Sequence, residues 1–320
     1  MRIVVLGVGA IGGVIAARLA ATGQDVAGIA RGRQLEAITA NGLLLRTPDG
    51  QERVRFTCAA TPAGIDWRPD DAVFLTVKSQ DTLAALQDLR DAGVHEQPIF
   101  CAQNGVANED MALRYFPNVY GTMVAMPADY LTPGEVNVFS APVHGIFDIG
   151  RYSGGTDAVT ACVAAALGKA GIVVGEHADV MRSKYAKLLM NLGNIIGAAF
   201  ADEAVARRYA EAARSEGAAV LKAAGIAHDE HAGIHRDLLK SREIPGIERA
   251  GSSSLQSLAR GAGSIETDYL NGEIVLIARR HGIEAPVNAW FARLGHRMLI
   301  EGMAPGSVDP AEAARALPGI

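Results

Sequence analysis

The sequence predicts an α/β protein, with a doubly wound parallel sheet in its N-terminal part followed by an all-helical C-terminal domain. Three observations lead there. Up to His177, short β-branched runs alternate with helical stretches, the rhythm of βαβ units. From Ala178 onward, long segments carry apolar residues at three- and four-residue spacing. Between the first strand-like run and the first helical one stands the glycine-rich turn Gly7-Val8-Gly9-Ala10-Ile11-Gly12.

Taken in order, Arg2 to Leu6 reads as a buried strand and Ile11 to Thr22 as an Ala-rich helix. Asp25 to Ala30 reads as the second strand, closed by Arg31-Gly32, and Ala72 to Val77 and Ile99 to Ala102 as two more. Segments 43–57 and 136–149 alternate between Pro, Gly and Asp, and are expected to be extra antiparallel pieces. Thr156 to Ala170 is an expected helix ahead of the strand Ile172 to Gly175. Met181 to Phe200, Ala204 to Ala224, Ile265 to His281 and Pro286 to Glu301 are expected as long helices, with 226–263 the least regular stretch. The expected domains are therefore 1–177 and 178–320, with no repeat and no low-complexity linker.

The 320 residues are 49% apolar and 20% charged, enough for two domains with full cores and no staples. A net charge of −5 argues against nucleic acid or an anionic membrane surface as a partner. Cys58, Cys101 and Cys162 lie far apart, without metal-type spacing, and are expected to be small core residues in a reducing compartment. The chain opens directly on a strand-like run and holds no uncharged apolar stretch of membrane length. A cytoplasmic protein is expected.

The turn 7–12 carries the first chemistry. Gly7 permits a tight turn, Gly9 lets a pyrophosphate approach the backbone, and Gly12 lets the helix pack closely on the strand. The backbone N–H groups of Val8, Ala10 and Ile11 complete a phosphate cradle at a helix N-terminus. Strand, G-x-G-x-x-G and helix together predict a Rossmann-type dinucleotide-binding domain. Cofactor identity is read at the end of the second strand, where an acid would accept the ribose hydroxyls of NAD. Here the acid, Asp25, stands at the opposite end, and Arg31 and Arg33 stand at the tip. Guanidinium groups suit a 2′-phosphate, so NADP (NADPH) is the expected cofactor. Lys78 and Asn104 each follow a predicted strand on the edge where such sheets place ligands, although the Asn104-Gly105 pair is also an ordinary turn signal.

These features resemble the ketopantoate reductases (2-dehydropantoate 2-reductases) over nearly the whole chain. The resemblance rests on GVGAIG at 7–12, Arg31, Lys78 in TVKS, Gln103-Asn104-Gly105, KLLMN at 187–191, SSSLQ at 252–256 and ETDYLNG at 266–272. It implies that Lys187 is the proton donor and that Asn191, a later asparagine and the Ser-rich turn hold the substrate. It also implies that Glu266 lies by the cofactor. Asn194 is the candidate for the later asparagine, although family members more often carry theirs at the position of Ile195. Ser253 matches the substrate serine by motif and Ser254 by distance from Glu266, with Ser252 beside them.

The residues by themselves support that chemistry. Lys187 and Asn191 are one helical turn apart and share a face. An ammonium there can polarise a carbonyl and release a proton, helped if burial and Lys184 lower its ordinary pKa of about 10.4. The implied activity is NADPH-dependent reduction of a 2-oxo acid to a 2-hydroxy acid, above all 2-dehydropantoate to pantoate in pantothenate biosynthesis. Two other readings stay open: another 2-oxo or 3-hydroxy acid dehydrogenase of the superfamily, or a non-catalytic NADPH-sensing protein. The expected partner is the small-molecule substrate. No metal is required, since lysine can do the polarising, and the oligomeric state is open, a homodimer being one option.

Overall fold

The structure is a computed structural model and describes residues 1–249, 251, 255, 258 and 264–320. Ser252, Ser253 and Ser254 lie outside the described residues. Two compact units make up the chain: 1–103 with 108–184 and 231–249, and 104–107 with 185–230 and 250–320. This division differs from 1–177 and 178–320: residues 178–184 belong to the first unit and 104–107 to the second, and, most of all, residues 231–249 belong to the first unit. The reason is specific bonding. Ile234 N donates to Asp148 Oδ1 (3.1 Å), Arg242 N to Phe139 O (2.9 Å), and the Arg242 guanidinium to Asp49 (2.6 Å).

In the first unit the strands are β1 (Arg2–Leu6), β2 (Val26–Ile29), β3 (Leu43–Thr47), β4 (Gly50–Val54), β5 (Thr57–Ala59) and β6 (Asp71–Leu75). They continue as β7 (Ile99–Cys101), β8 (Val119–Ala125), β9 (Ala128–Asp129), β10 (Glu135–Val138), β11 (Gly145–Arg151) and β12 (Ile172–Glu176). The main sheet has the order β12-β11-β8-β7-β6-β1-β2-β5. All its pairings are parallel except β8 with β11. Strand order reverses at β1, which lies between β2 and β6, and this is where an open α/β sheet opens a crevice at its carboxyl edge. Ile3 and Val5 join Phe74, Phe100 and Tyr120 on one face, whereas Val4 and Leu6 join Val73, Leu75 and Ile99 on the other. With both faces covered, β1 and β6 are buried throughout, and beyond the ion pair of Arg2 with Asp71 that begins them they read as unbroken apolar runs.

Helices α1 (Ala10–Ala21), α2 (Gly32–Asn41), α3 (Thr82–Asp91), α4 (Asn108–Leu113) and α5 (Ala158–Lys169) flank the sheets. A second sheet, β4-β3-β10-β9, lies against α1, where a Cβ on Gly13 would come within 2.6 Å of Val136. Of the antiparallel piece expected over 43–57, residues 43–54 form an antiparallel hairpin, while Thr57 opens β5, which pairs parallel with β2. The other expected piece divides: β10 pairs antiparallel with β9 but parallel with β3, while β11 joins the main sheet antiparallel to β8.

The second unit is helical. α6 (Val180–Asn191) reaches it from residue 185 and is followed by α7 (Gly193–Ala199) and α8 (Glu203–Ala223), then by the helices Asn271–Arg280, Pro286–Ile300 and Pro310–Ala316. The single helix expected over 181–200 is broken at Leu192. There the Asn271 side chain donates to Leu192 O (3.2 Å), and Gly193, a poor helix former, follows. The expected helix over 265–281 likewise opens with a short 3-10 turn, Glu266–Tyr269. Phe200, Tyr209 and Phe291 form an aromatic core with centroids 5.6 to 6.2 Å apart. Of the cysteines, only Cys101 is fully buried; Cys58 is half-buried and Cys162 is exposed, so the expectation of three core thiols fails at the surface helix α5.

Candidate active site

The nucleotide turn follows β1 directly. Gly7 has φ 109°, and a Cβ there would lie 2.8 Å from Val77 N. Gly12 is tighter still, its imagined Cβ 2.3 Å from Gly7 O and 2.5 Å from Thr76 Oγ1. Thr76 itself donates to Leu6 O (3.0 Å) and Gly7 O (2.9 Å), locking the end of β6 to the turn. Gly9 is the opposite case: a Cβ on it would meet nothing within 4 Å. Gly9 is also the N-cap of α1, has no side chain to cap with, and no acid follows it in the first turn. The N–H groups of that turn have no intrahelical acceptors by construction, and the helix dipole favours an anion beside them. The Gly9 cradle therefore fits the pyrophosphate of a dinucleotide.

Arg31 is the N-cap of α2, with its side chain 68% exposed and 3.2 Å from Asp88. Exposed pairs of this kind contribute only ~0–1 kcal/mol, so a phosphate can displace the carboxylate. Asp25 precedes β2 and pairs with Arg68 (2.7 Å), at the end of the strand remote from Arg31. Lys78 begins the turn after β6 and is half-buried.

In the second unit, Asn191 is buried at the end of α6, and its Nδ2 donates to Asn104 Oδ1 (2.9 Å). Gly105, next along, has φ 81°, and a Cβ there would lie 2.9 Å from Tyr269 O. The turn after β7 thus touches both α6 and the 3-10 turn that Glu266 opens. Lys187 is half-buried on α6, one turn before Asn191, and Glu266 is half-buried as well. Asn194 is half-buried but stands on α7, beyond the break at Leu192, rather than on the helix of Lys187.

The family model "Ketopantoate reductase PanE/ApbA" matches residues 3–154, and its C-terminal counterpart matches 179–298. The chain belongs to the ketopantoate reductase family. Among curated relatives, the 2-dehydropantoate 2-reductase of Pyrococcus horikoshii is 30% identical over 90% of this chain and 94% of its own. That of Halobacterium salinarum is 29% identical over 90% and 95%. Among solved structures, a PanE/ApbA family ketopantoate reductase from Ralstonia eutropha JMP134 matches with a TM-score of 0.77 and 27% identity, over 94% of this chain and 99% of that one. D-mandelate dehydrogenase in complex with NADH shares the fold, with a TM-score of 0.77 at 20% identity. This ketopantoate reductase family member is accordingly an oxidoreductase.

Several buried polar residues near these candidate positions escaped the sequence. Lys184 is one, expected only to repel Lys187. Its side chain is 2% exposed and pairs with Glu109, itself fully buried, so its charge is compensated rather than presented to Lys187. Burial pushes the Glu109 carboxyl up, and the Lys184 ammonium opposes that rise. Gln34 is another: Nε2 donates to Val8 O (2.9 Å) and Oε1 accepts from Gly134 N (2.7 Å), tying α2 to the glycine turn. A buried chain also joins the loops after β6 and β7. Gln103 Nε2 donates to Thr82 Oγ1 (2.8 Å), Thr82 to Asn108 Oδ1 (2.8 Å), and Asn108 Nδ2 to Ser79 Oγ (3.2 Å). The only trace of these in the sequence is polar residues beside strand ends, which turns also favour.

Proposed function

We propose that the protein reduces a 2-oxo acid to its 2-hydroxy acid with NADPH, the foremost substrate being 2-dehydropantoate, which would give pantoate. One observation carries this reading. Lys187 and Asn191 lie one turn apart on α6, and Asn191 is bonded to Asn104 in the turn that packs at Tyr269, on the segment opened by Glu266. A proton donor, a polar grip and a carboxylate thereby come from one compact unit. Family membership supports the reaction class, and the names of the curated relatives support the substrate.

Gly7, Val8, Gly9, Ala10, Ile11 and Gly12 would hold the pyrophosphate, Arg31 the 2′-phosphate, and Lys78, Asn104 and Glu266 the remainder of the cofactor. When bound, NADPH supplies the hydride that ends on the carbonyl carbon. The Lys187 ammonium polarises the carbonyl oxygen and gives it a proton, so ketone, hydride and proton together make the alcohol. Asn191 and Asn194 orient the substrate by hydrogen bonds, and the family resemblance assigns its carboxylate to Ser253 and Ser254. The test is NADPH consumption with a panel of 2-oxo acids differing beyond the keto carbon. 2-Dehydropantoate should give the highest kcat/KM. A better substrate in the panel would replace it, and no turnover of any 2-oxo acid by protein that binds NADPH would overturn the reading.

A further inference from the structure

Lys184 and Glu109 form a buried ion pair with no place in the chemistry above, and the lysine side of it is fully bonded. Lys184 Nζ has three N–H donors and three acceptors: the Glu109 carboxylate, Cys101 O (3.1 Å) and Gln103 O (3.1 Å). The two carbonyls belong to the end of β7 and the residue just before Asn104. The lysine stem lies over β8, where a Cβ on Gly121 would come 3.5 Å from Lys184 Cδ and 2.8 Å from Val180. Next to it, Ser183 Oγ donates to the buried Asp148 on β11 (2.6 Å). The first turns of α6 are therefore pinned by side chains to β7 and β11, and its last residue, Asn191, is held by Asn104.

Lys184, Lys187 and Asn191 stand at i, i+3 and i+7, so they form one stripe along the helix. Lys187 lies between the two pinned positions. Stability does not demand such a pair. Buried ion pairs about break even against well-packed apolar replacements, and Glu109 Oε2 makes no hydrogen bond among the described residues. Nor is Lys184 placed to touch a substrate, being 2% exposed with every donor committed. What the pair does supply is direction, which an apolar contact would not.

We propose that Lys184 and Glu109 are positioning residues: their buried pair fixes α6 against the turn after β7, and so sets the rotation at which Lys187 and Asn191 are presented. The inference rests on Lys187 being the proton donor.

The experiment compares the full chain with Lys184→Met/Glu109→Leu, an apolar replacement of similar volume, and with the milder Glu109→Gln. Folded double variant should bind NADPH within about threefold of the unmutated protein, yet lose about 10- to 100-fold in kcat, as misplaced catalytic groups do. Its kcat–pH profile should move on the alkaline side, and Glu109→Gln should fall between the two. A second readout needs no turnover: acetylation of Lys187 across pH, followed by mass spectrometry, should shift its midpoint by about 0.5 pH unit or more in the double variant. Should the double variant fail to fold, the Glu109→Gln midpoint and kcat decide. Unchanged kcat and an unchanged labelling midpoint in a folded variant overturn the proposal, even if the melting temperature drops. Absence of turnover in the unmutated protein would instead strike at the functional reading, and the labelling curve would still judge the anchor.

Discussion

At the scale of single residues, the second and third glycines of the nucleotide turn separate folding from binding. Gly12→Ala puts a methyl group 2.3 Å from Gly7 O, a backbone atom that cannot move aside, so the variant should lose about 1–3 kcal/mol of stability together with cofactor binding. Gly9→Ala puts its methyl group in open space, so the melting temperature should hold while NADPH affinity falls at least about tenfold. Thermal melts beside fluorescence titration check both, and equal losses of stability in the two variants would contradict the assignment. Lys187→Ala should lower kcat by about 10²–10⁴-fold with NADPH affinity nearly unchanged, and the alkaline limb of the activity profile should vanish or shift. Near-normal turnover would remove Lys187 from the acid's role. Arg31→Ala should erase most of an NADPH-over-NADH preference of at least about tenfold, about 1.4 kcal/mol. Equal efficiency with both cofactors before mutation would contradict the reading of Arg31.

At the scale of elements, α5 shows how a helix start is built and how it responds to acid. Asp157 caps it, accepting from Val159 N (2.9 Å) and Thr160 N (3.0 Å), while Thr160 Oγ1 accepts from Asp157 N (3.0 Å). The same carboxylate takes Tyr120 OH and the Arg151 guanidinium, both at 2.7 Å. Burial by itself would push the Asp157 carboxyl up. Arg151, Tyr120 and the two backbone N–H groups outweigh it and hold the carboxyl below the usual aspartate range. A lowered folded value means the stabilisation is full above the unfolded pKa of about 3.9 and is lost as pH falls through the folded one. Asp157→Asn should therefore lose about 1–2 kcal/mol near neutral pH and converge on the unmutated protein in strong acid. A constant difference across pH would show that the charge is not what matters. Burial first, and then the same carboxylate, pushes the Tyr120 phenol up to about 12.

At the scale of the whole molecule, cofactor binding should be visible as stability. NADPH at about 100 times its Kd should stabilise the folded protein by about 2.7 kcal/mol, read as a higher unfolding temperature, and NADH at the same concentration should do less. The helical unit has its own cohesion independent of that ligand. Glu216 accepts from Val287 N (2.9 Å) and Asn288 N (2.8 Å), so α8 caps the start of Pro286–Ile300. Asn288 Nδ2 donates to Ala213 O (2.9 Å) and its Oδ1 accepts from Asn271 (3.0 Å), which also holds Leu192 O. Among the described residues, no helix is long and apolar enough to cross a membrane.

The sequence by itself determined the α/β class, the order of the first strands and helices, the nucleotide turn and the pairing of Lys187 with Asn191. Each of these is written locally. Periodicity marks a buried strand or helix, a glycine is the residue that fits where a Cβ would collide, and two side chains four residues apart share a face. Only the tertiary structure decided that residues 231–249 pack with the first unit, that the helix over 181–200 breaks at Leu192, and that Lys184 is buried in a pair with Glu109. Those outcomes hang on partners far along the chain: Asp148 for Ile234, Asn271 for Leu192, Glu109 and the Cys101 and Gln103 carbonyls for Lys184. A lysine within an apolar helix reads the same whether it meets water, substrate or a buried carboxylate, because the free energy that separates those fates belongs to the residues it meets.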